Sequence, residues 1–173
     1  DHVREKDGLW AVLLWLNILA ARKESVAQIM EGHWRKYGRN YYSRHDFEAV
    51  DAAAANTMMA ALRVKLATLP GTEIERMAVA AADDFAYHDP IDGSVSKGQG
   101  VRVIFEDGAR FVLRLSGTGT EGATLRLYLE RYEPGTGNLG LDPQVALAAV
   151  IHAAHSVAQV EKHTGRNAPD VTT

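Results

Sequence analysis

The chain has 173 residues, 46% hydrophobic and 24% charged, the proportions of an ordinary globular protein and enough for one domain with part of another. A net charge of −3 gives no basic face for nucleic acid, and the absence of cysteine excludes disulfides, thiolate chemistry and cysteine-held zinc. The most apolar stretch, residues 9–21, is interrupted by Asn17 and falls short of the roughly 20 residues that a membrane-spanning helix needs, so no membrane partner is expected.

Asp1-His2-Val3-Arg4-Glu5-Lys6-Asp7 mixes both charge signs and has neither an initiator methionine nor the basic start of a secretory signal. It reads as a cut through a larger cytoplasmic protein. Leu9 to Leu19 is apolar almost all round, a pattern that a helix tolerates only between other elements. Ser25 can cap a second helix carrying Val26, Ile29, Met30 and Trp34, which should stop near Gly38. These two helices form a hairpin, and a domain boundary is placed after it, dividing the chain into residues 1–38 and 39–173.

Arg39 to Arg44 is aromatic and extended in character. Asp46 is the expected N-cap of a helix through Val50, Ala54, Met58, Leu62 and Leu66, ending at Pro70-Gly71. Four strands follow, over Ile74 to Ala82, Gly100 to Phe105, Arg110 to Leu115 and Ala123 to Tyr132. Asp107-Gly108 between alternating apolar residues predicts that the second and third are an antiparallel hairpin. Asp142, with Pro143 at the first helical position, opens a last helix that Gly165 stops, before a loose polar tail. The fold class is therefore α+β: an antiparallel sheet of about four strands with helices on one face, preceded by a helical hairpin.

Chemistry concentrates in Arg114-Leu115-Ser116-Gly117-Thr118-Gly119-Thr120-Glu121-Gly122-Ala123-Thr124-Leu125-Arg126. Glycines let successive backbone N–H groups face one concavity, hydroxyls add donors, and the flanking arginines offer planar forks suited to phosphate. The plain alternative is a glycine-rich surface turn between solvated arginines. No Walker lysine is present, and a strand rather than a helix follows Gly122, which rules out a dinucleotide fingerprint. His152 and His155 share a helix face without further metal ligands in sequence. Asp83-Asp84 and Asp89 with Asp92 offer a paired-carboxylate or calcium site on residue type alone, but they lack EF-hand spacing, and Pro90 and Gly93 point to a plain turn. Trp34, Tyr37, Tyr41 and Tyr42 read as packing at the domain junction, and Arg44 could reach a cleft.

The run from Arg114 through Arg126-Leu-Tyr-Leu-Glu resembles the phosphate-binding loop in the last domain of the phosphoglucomutase (α-D-phosphohexomutase) family. Asp1 to Leu13 resembles the segment after that family's sugar-binding loop. His33-Trp34, Gly38-Arg39-Asn40-Tyr41, Asp89-Pro90-x-Asp92-Gly93-Ser94 and Thr164-Gly165-Arg166-x-Ala168-Pro169 extend the likeness along the chain. The resemblance implies the end of the third domain and a complete fourth, TATA-binding-protein-like domain. It implies that Arg114, Ser116, Gly117, Thr118, Gly119, Thr120 and Arg126 hold the non-reacting phosphate of a hexose phosphate, with Lys6 a candidate proton carrier. It also implies Mg2+ and glucose 1,6-bisphosphate as cofactors of the full-length isomerase, none of them bound by this chain. The phosphoserine segment, the Asp-x-Asp-x-Asp metal loop and the Gly-Glu-Glu-Ser sugar loop do not occur in these residues. The expected partners are therefore the substrate and the enzyme's N-terminal domains, and the chain alone should be inactive. A non-catalytic anion-binding or scaffold domain built on the same loop stays open as the alternative.

Overall fold

The computed structural model describes residues 6–119 and 122–173, the side chains at 117–119 excepted. The chain divides into two compact units, a smaller one up to Arg39 together with Glu133–Leu139, and a larger one of Asn40–Tyr132 with Gly140–Thr173.

In the smaller unit, α1 spans Gly8–Arg22 and α2 spans Val26–Tyr37. The Asp7 carboxylate accepts from Trp10 N–H at 2.9 Å and opens α1. Ser25 and Gln28 form a reciprocal capping box at the start of α2, so two otherwise orphaned N–H donors are satisfied, and Gly38 closes that helix. The apolar all-round α1 buries none of its residues against the described chain, and Leu9 is 80% exposed. Arg39 lies 4.2 Å over the Trp34 ring.

The larger unit is built on β1 (Arg39–Val50), β2 (Glu73–Ile74), β3 (Met77–His88), β4 (Val95–Phe105), β5 (Arg110–Gly119), β6 (Gly122–Glu133) and β7 (Val171–Thr172). Their order across the sheet is β2-β3-β4-β5-β6-β1-β7. The Asp-Gly turn joins β4 to β5 as expected, and β5 runs antiparallel to both β4 and β6. Among the described residues, seven strands stand where about four were expected. Two of the additions, β2 and β7, are two-residue edge strands with no periodicity of their own to read, and the third is β1.

Strand β1 overturns the helix expected from Asp46. The N-cap of α3 (Ala52–Lys65) is Asp51, whose carboxylate accepts from Ala54 N–H at 2.8 Å. Residues 46–50 carry helix formers, but Tyr41, Ser43, His45 and Phe47 alternate onto the buried face of a strand, and Phe47 is wholly buried. Pairing with the far end of the chain supplies the rest: His45 faces Thr172 and Asp46 faces Val171. The tail, expected loose, is thus a paired edge, further held by Asp170, which accepts from Glu48 N–H at 2.8 Å.

The last helix is also divided, into α4 (Pro143–Ala146), α5 (Ala148–Ala158) and α6 (Val160–Thr164), with breaks at Leu147 and at Gln159 in the left-handed region. Nothing in the residue types marks Gln159 as a break. One core unites Met58 and Leu62 of α3, Val101, Val103 and Phe105 of β4, Phe111 and Leu113 of β5, Leu125, Leu127 and Leu129 of β6, and Val150 and Ala154 of α5. Helices therefore cover one face of the sheet, and the polar side chains alternating with these residues populate the other.

Candidate functional site: an arginine-lined pocket on the open sheet face

On that open face, the register of β5 and β6 sets Arg110 opposite Glu130, Val112 opposite Tyr128, Arg114 opposite Arg126 and Ser116 opposite Thr124. Like charges directly opposite one another in a sheet are destabilising. Several arginines of the larger unit are balanced by a carboxylate of their own. Arg110 is ion-paired with Glu130, Arg102 holds Asp83 with bonds of 3.0 and 2.7 Å, and Arg63 binds Asp84 at 2.8 Å. Asp83 and Asp84, weighed in the sequence as a paired-carboxylate or calcium site, are these partners. Arg114 differs: its described contact is with the neutral Gln99 amide, Nη2 to Oε1 at 3.4 Å.

Arg114, Leu115, Ser116, Arg126, Tyr128, Gly98 and Gln99 line a pocket of about 250 Å³. Gly100 lets the arginine in. A Cβ at that residue would fall 2.8 Å from Arg114 Cγ and 2.8 Å from Leu113 O. Two opposed guanidinium groups in a pocket with a hydroxyl beside them have the chemistry to receive an oxyanion, which between the forks would turn their repulsion into charge-assisted hydrogen bonds.

Of the residues singled out in the sequence, the fold brings Arg114, Ser116 and Arg126 together. The segment read as a loop is the far end of the β5–β6 hairpin, paired out to Gly119 and Gly122, with a register irregularity between Ser116 and Gly119. Gly117, Thr118 and Gly119 lie on that irregular stretch of β5. Gly122 has φ +93°, and a Cβ there would approach Val50 O at 3.0 Å, so the base of the hairpin tip sits tightly on the end of β1. Thr120 lies outside the described residues. Lys6 precedes α1 in the smaller unit and is exposed.

Arg44 lines a neighbouring pocket of about 380 Å³ that shares Tyr128 with the first. Its Nε is 3.0 Å from Asp46 Oδ1, and Arg126 Nε is 3.9 Å from the same oxygen. Sequence reading missed Gln99, Tyr128 and Asp46 as members of this neighbourhood. Tyr128 was within reach, since it stands two residues after Arg126 on the same strand face.

The remaining candidates resolve as structural features. Asp89 accepts from Ile91 N–H and Asp92 from Ser94 N–H, both at 2.8 Å, as in an ordinary turn, and the Ser94 bonds hold the Asp92 carboxyl below its usual range. Tyr41 is buried while Tyr42 is exposed on the opposite face of β1. His152 and His155 join His45 around a cavity of about 340 Å³ against Asn167, Ala168 and Pro169. The His155 imidazole is held below its ordinary pKa of 6.5, chiefly by burial and then by the neighbouring His45 and His152. Among the described residues, no group of three or more His, Asp or Glu side chains is placed to hold a metal ion.

An α+β domain carrying an arginine-lined pocket at one end of its central hairpin defines the class to which the comparisons attach a family. Residues 39–170 match the family described as phosphoglucomutase-1, C-terminal domain, and residues 1–37 match phosphoglucomutase/phosphomannomutase, alpha/beta/alpha domain III. The chain belongs to the phosphoglucomutase family. It is 65% identical to the phosphoglucomutase of Rhizobium radiobacter and 51% identical to human phosphoglucomutase-1, in each case over all of this chain and 32% of the relative. The crystal structure of the exocytosis-sensitive phosphoprotein pp63/parafusin, a phosphoglucomutase from Paramecium, in its open form, superposes with a TM-score of 0.86 at 44% identity, covering 99% of this chain and 30% of that one. The chain thus spans about a third of the length of the relatives it matches.

Proposed function

We propose that this chain is the substrate-phosphate-binding end of a phosphoglucomutase that interconverts glucose 1-phosphate and glucose 6-phosphate. The observation that carries the reading is the directly opposed Arg114–Arg126 pair in a pocket with Ser116, at the segment where the family resemblance is strongest. In this reading the two forks and the Ser116 hydroxyl hold the non-reacting phosphate, joined by the Thr118 and Thr120 hydroxyls and the backbone at Gly117 and Gly119. Fixing the phosphate remote from the reacting centre orients the sugar and converts binding energy into a correctly placed reacting hydroxyl. Lys6 is the candidate proton carrier.

Residues 1–38 close the third domain of that enzyme and residues 39–173 form its fourth. The apolar α1, which buries nothing against the described chain, is covered in this reading by the rest of domain III. Magnesium and glucose 1,6-bisphosphate act through the remaining domains, which supply the phosphoryl-bearing nucleophile. Two plant relatives at 48% identity are named as cytoplasmic phosphoglucomutases, and we assign this chain the same compartment.

Titrating inorganic phosphate into the chain while following backbone amides by NMR tests the reading. A few charge-assisted bonds in an open pocket correspond to millimolar affinity, about 4 kcal/mol, weakened by salt. Saturating shifts should be largest between Arg114 and Arg126. Shifts centred on His152 and His155, or growing without saturation, would overturn it.

A further inference from the structure

We infer that Asp46 is a positioning residue for the phosphate site, a buried carboxylate that fixes the direction of the Arg126 and Arg44 forks; this rests on the functional reading above. Asp46 is only 4% exposed, whereas the arginine side chains on either side of it are 40% and 37% exposed. A carboxylate withdrawn so far from water is tolerated only with cationic partners at hand. Those partners are Arg44 Nε at 3.0 Å and Arg126 Nε at 3.9 Å.

The approaches are close without being aligned. Asp46 Oδ1, Arg44 Nε and Arg126 Nε are all buried with no properly directed hydrogen bond, three orphaned polar atoms in one cluster. Such a concentration calls for a cause, since buried polar atoms are ordinarily satisfied. Of each arginine's five donors, Nε lies nearest the carboxylate without directing its N–H at it, which leaves the outer nitrogens of each fork for another acceptor. Asp46 itself is immobilised through its backbone: its carbonyl accepts from Asp170 N–H at 2.9 Å, and it stands in register with Val171 of β7. The edge strand at the end of the chain thereby secures the carboxylate that aims the forks. Arg44 and Arg126 share the Asp46 carboxylate, while the described contact of Arg114 is the neutral Gln99 amide, so the three guanidinium groups bring more positive charge to this face than Asp46 balances, as a phosphate dianion requires.

The inference has a counterintuitive consequence. If Asp46 were merely a counter-charge, removing it would make the site more positive and tighten anion binding. If it aims the forks, removing it weakens binding in spite of the added positive charge. Inorganic phosphate is titrated into the wild-type chain, Asp46→Asn and Asp46→Glu, with affinity read from the amides between Arg114 and Arg126. We expect Asp46→Asn to bind at least tenfold more weakly and Asp46→Glu to recover part of the loss. Equal or tighter binding by Asp46→Asn, with the wild type saturating normally, overturns the positioning role alone. Absence of saturable shifts in the wild type would instead bring down the functional reading. Should Asp46→Asn fail to fold, the wild-type Arg126 Nε–Hε signal decides. A resonance downfield of that of exposed Arg76, and slower to exchange, supports the inference, whereas coincidence of the two overturns it.

Discussion

The arginines of the open sheet face differ in what balances them, and that difference predicts what substitution does. Arg110 already commits its fork to Glu130, while Arg126 stands with Nε 3.9 Å from a carboxylate shared with Arg44 and faces another guanidinium across the strand pair. Arg126→Lys keeps the charge but loses both the Nε–H and the planar fork. Phosphate binding should weaken about tenfold, equivalent to about 1.4 kcal/mol. Arg110→Lys, made as the control, should leave the phosphate titration within about twofold of wild type; equal losses in the two variants would reduce the site to diffuse positive charge. Arg114 and Arg126 were legible in the sequence because they bracket a glycine-and-hydroxyl segment between two apolar strands. Asp46 and Gln99 were not, because their relation to those arginines exists only across strand pairings and turns that no local pattern announces.

Single elements were legible in proportion to how local their causes are. The Ser25 cap, the Asp-Gly turn and the Asp142-Pro143 helix start are decided within a few residues, and each stands where it was expected. Strand β1 is decided by burial of Phe47 and by pairing with residues more than a hundred positions away, so helix formers at 46–50 misled the reading. Helix α5 carries a testable consequence of its packing. His155 lies half-buried on it, edge-on to Phe47 at 5.9 Å, with His45 and His152 disfavouring its charged form and Glu161 favouring it. Its folded pKa lies below 6.5, so between that value and 6.5 the unfolded chain binds more protons than the native one, and stability rises with pH. The contribution is intact above about 6.5 and is lost as the pH falls toward the folded value. Urea melts from pH 7.5 to 5 should therefore show declining stability in the wild type and a shallower decline in His155→Gln. Parallel slopes would mean that His155 is solvated in the native state.

At the scale of the whole molecule, the two compact units differ in what could hold each together. Every member of the large apolar core, from Tyr41 to Val160, belongs to the larger unit. Among the described residues, the smaller unit contributes a single buried hydrophobic residue, Ile29, and its helix α1 exposes leucines and tryptophans that would need to be covered. Because hydrophobic burial is the dominant favourable term in folding, the larger unit should fold without residues 1–38. The loss should be local. Residues 133–139 belong with the smaller unit, where Gly135 approaches Arg35 closely enough that a Cβ would meet its carbonyl oxygen, and Asn138 N–H donates to Glu133 at 3.1 Å. Deleting residues 1–38 should thus release amide protection in 133–139 while leaving β4, β5 and β6 protected. A cost of about 1 kcal/mol would lower the melting midpoint by roughly 2–4 °C for a domain of this size. Thermal unfolding with hydrogen exchange on the truncated chain checks both parts. A transition that loses cooperativity, or exchange that spreads into β5 and β6, would show that the core of the larger unit depends on the helices before it. Retained phosphate binding in the same truncated chain would place the whole anion site within residues 39–173.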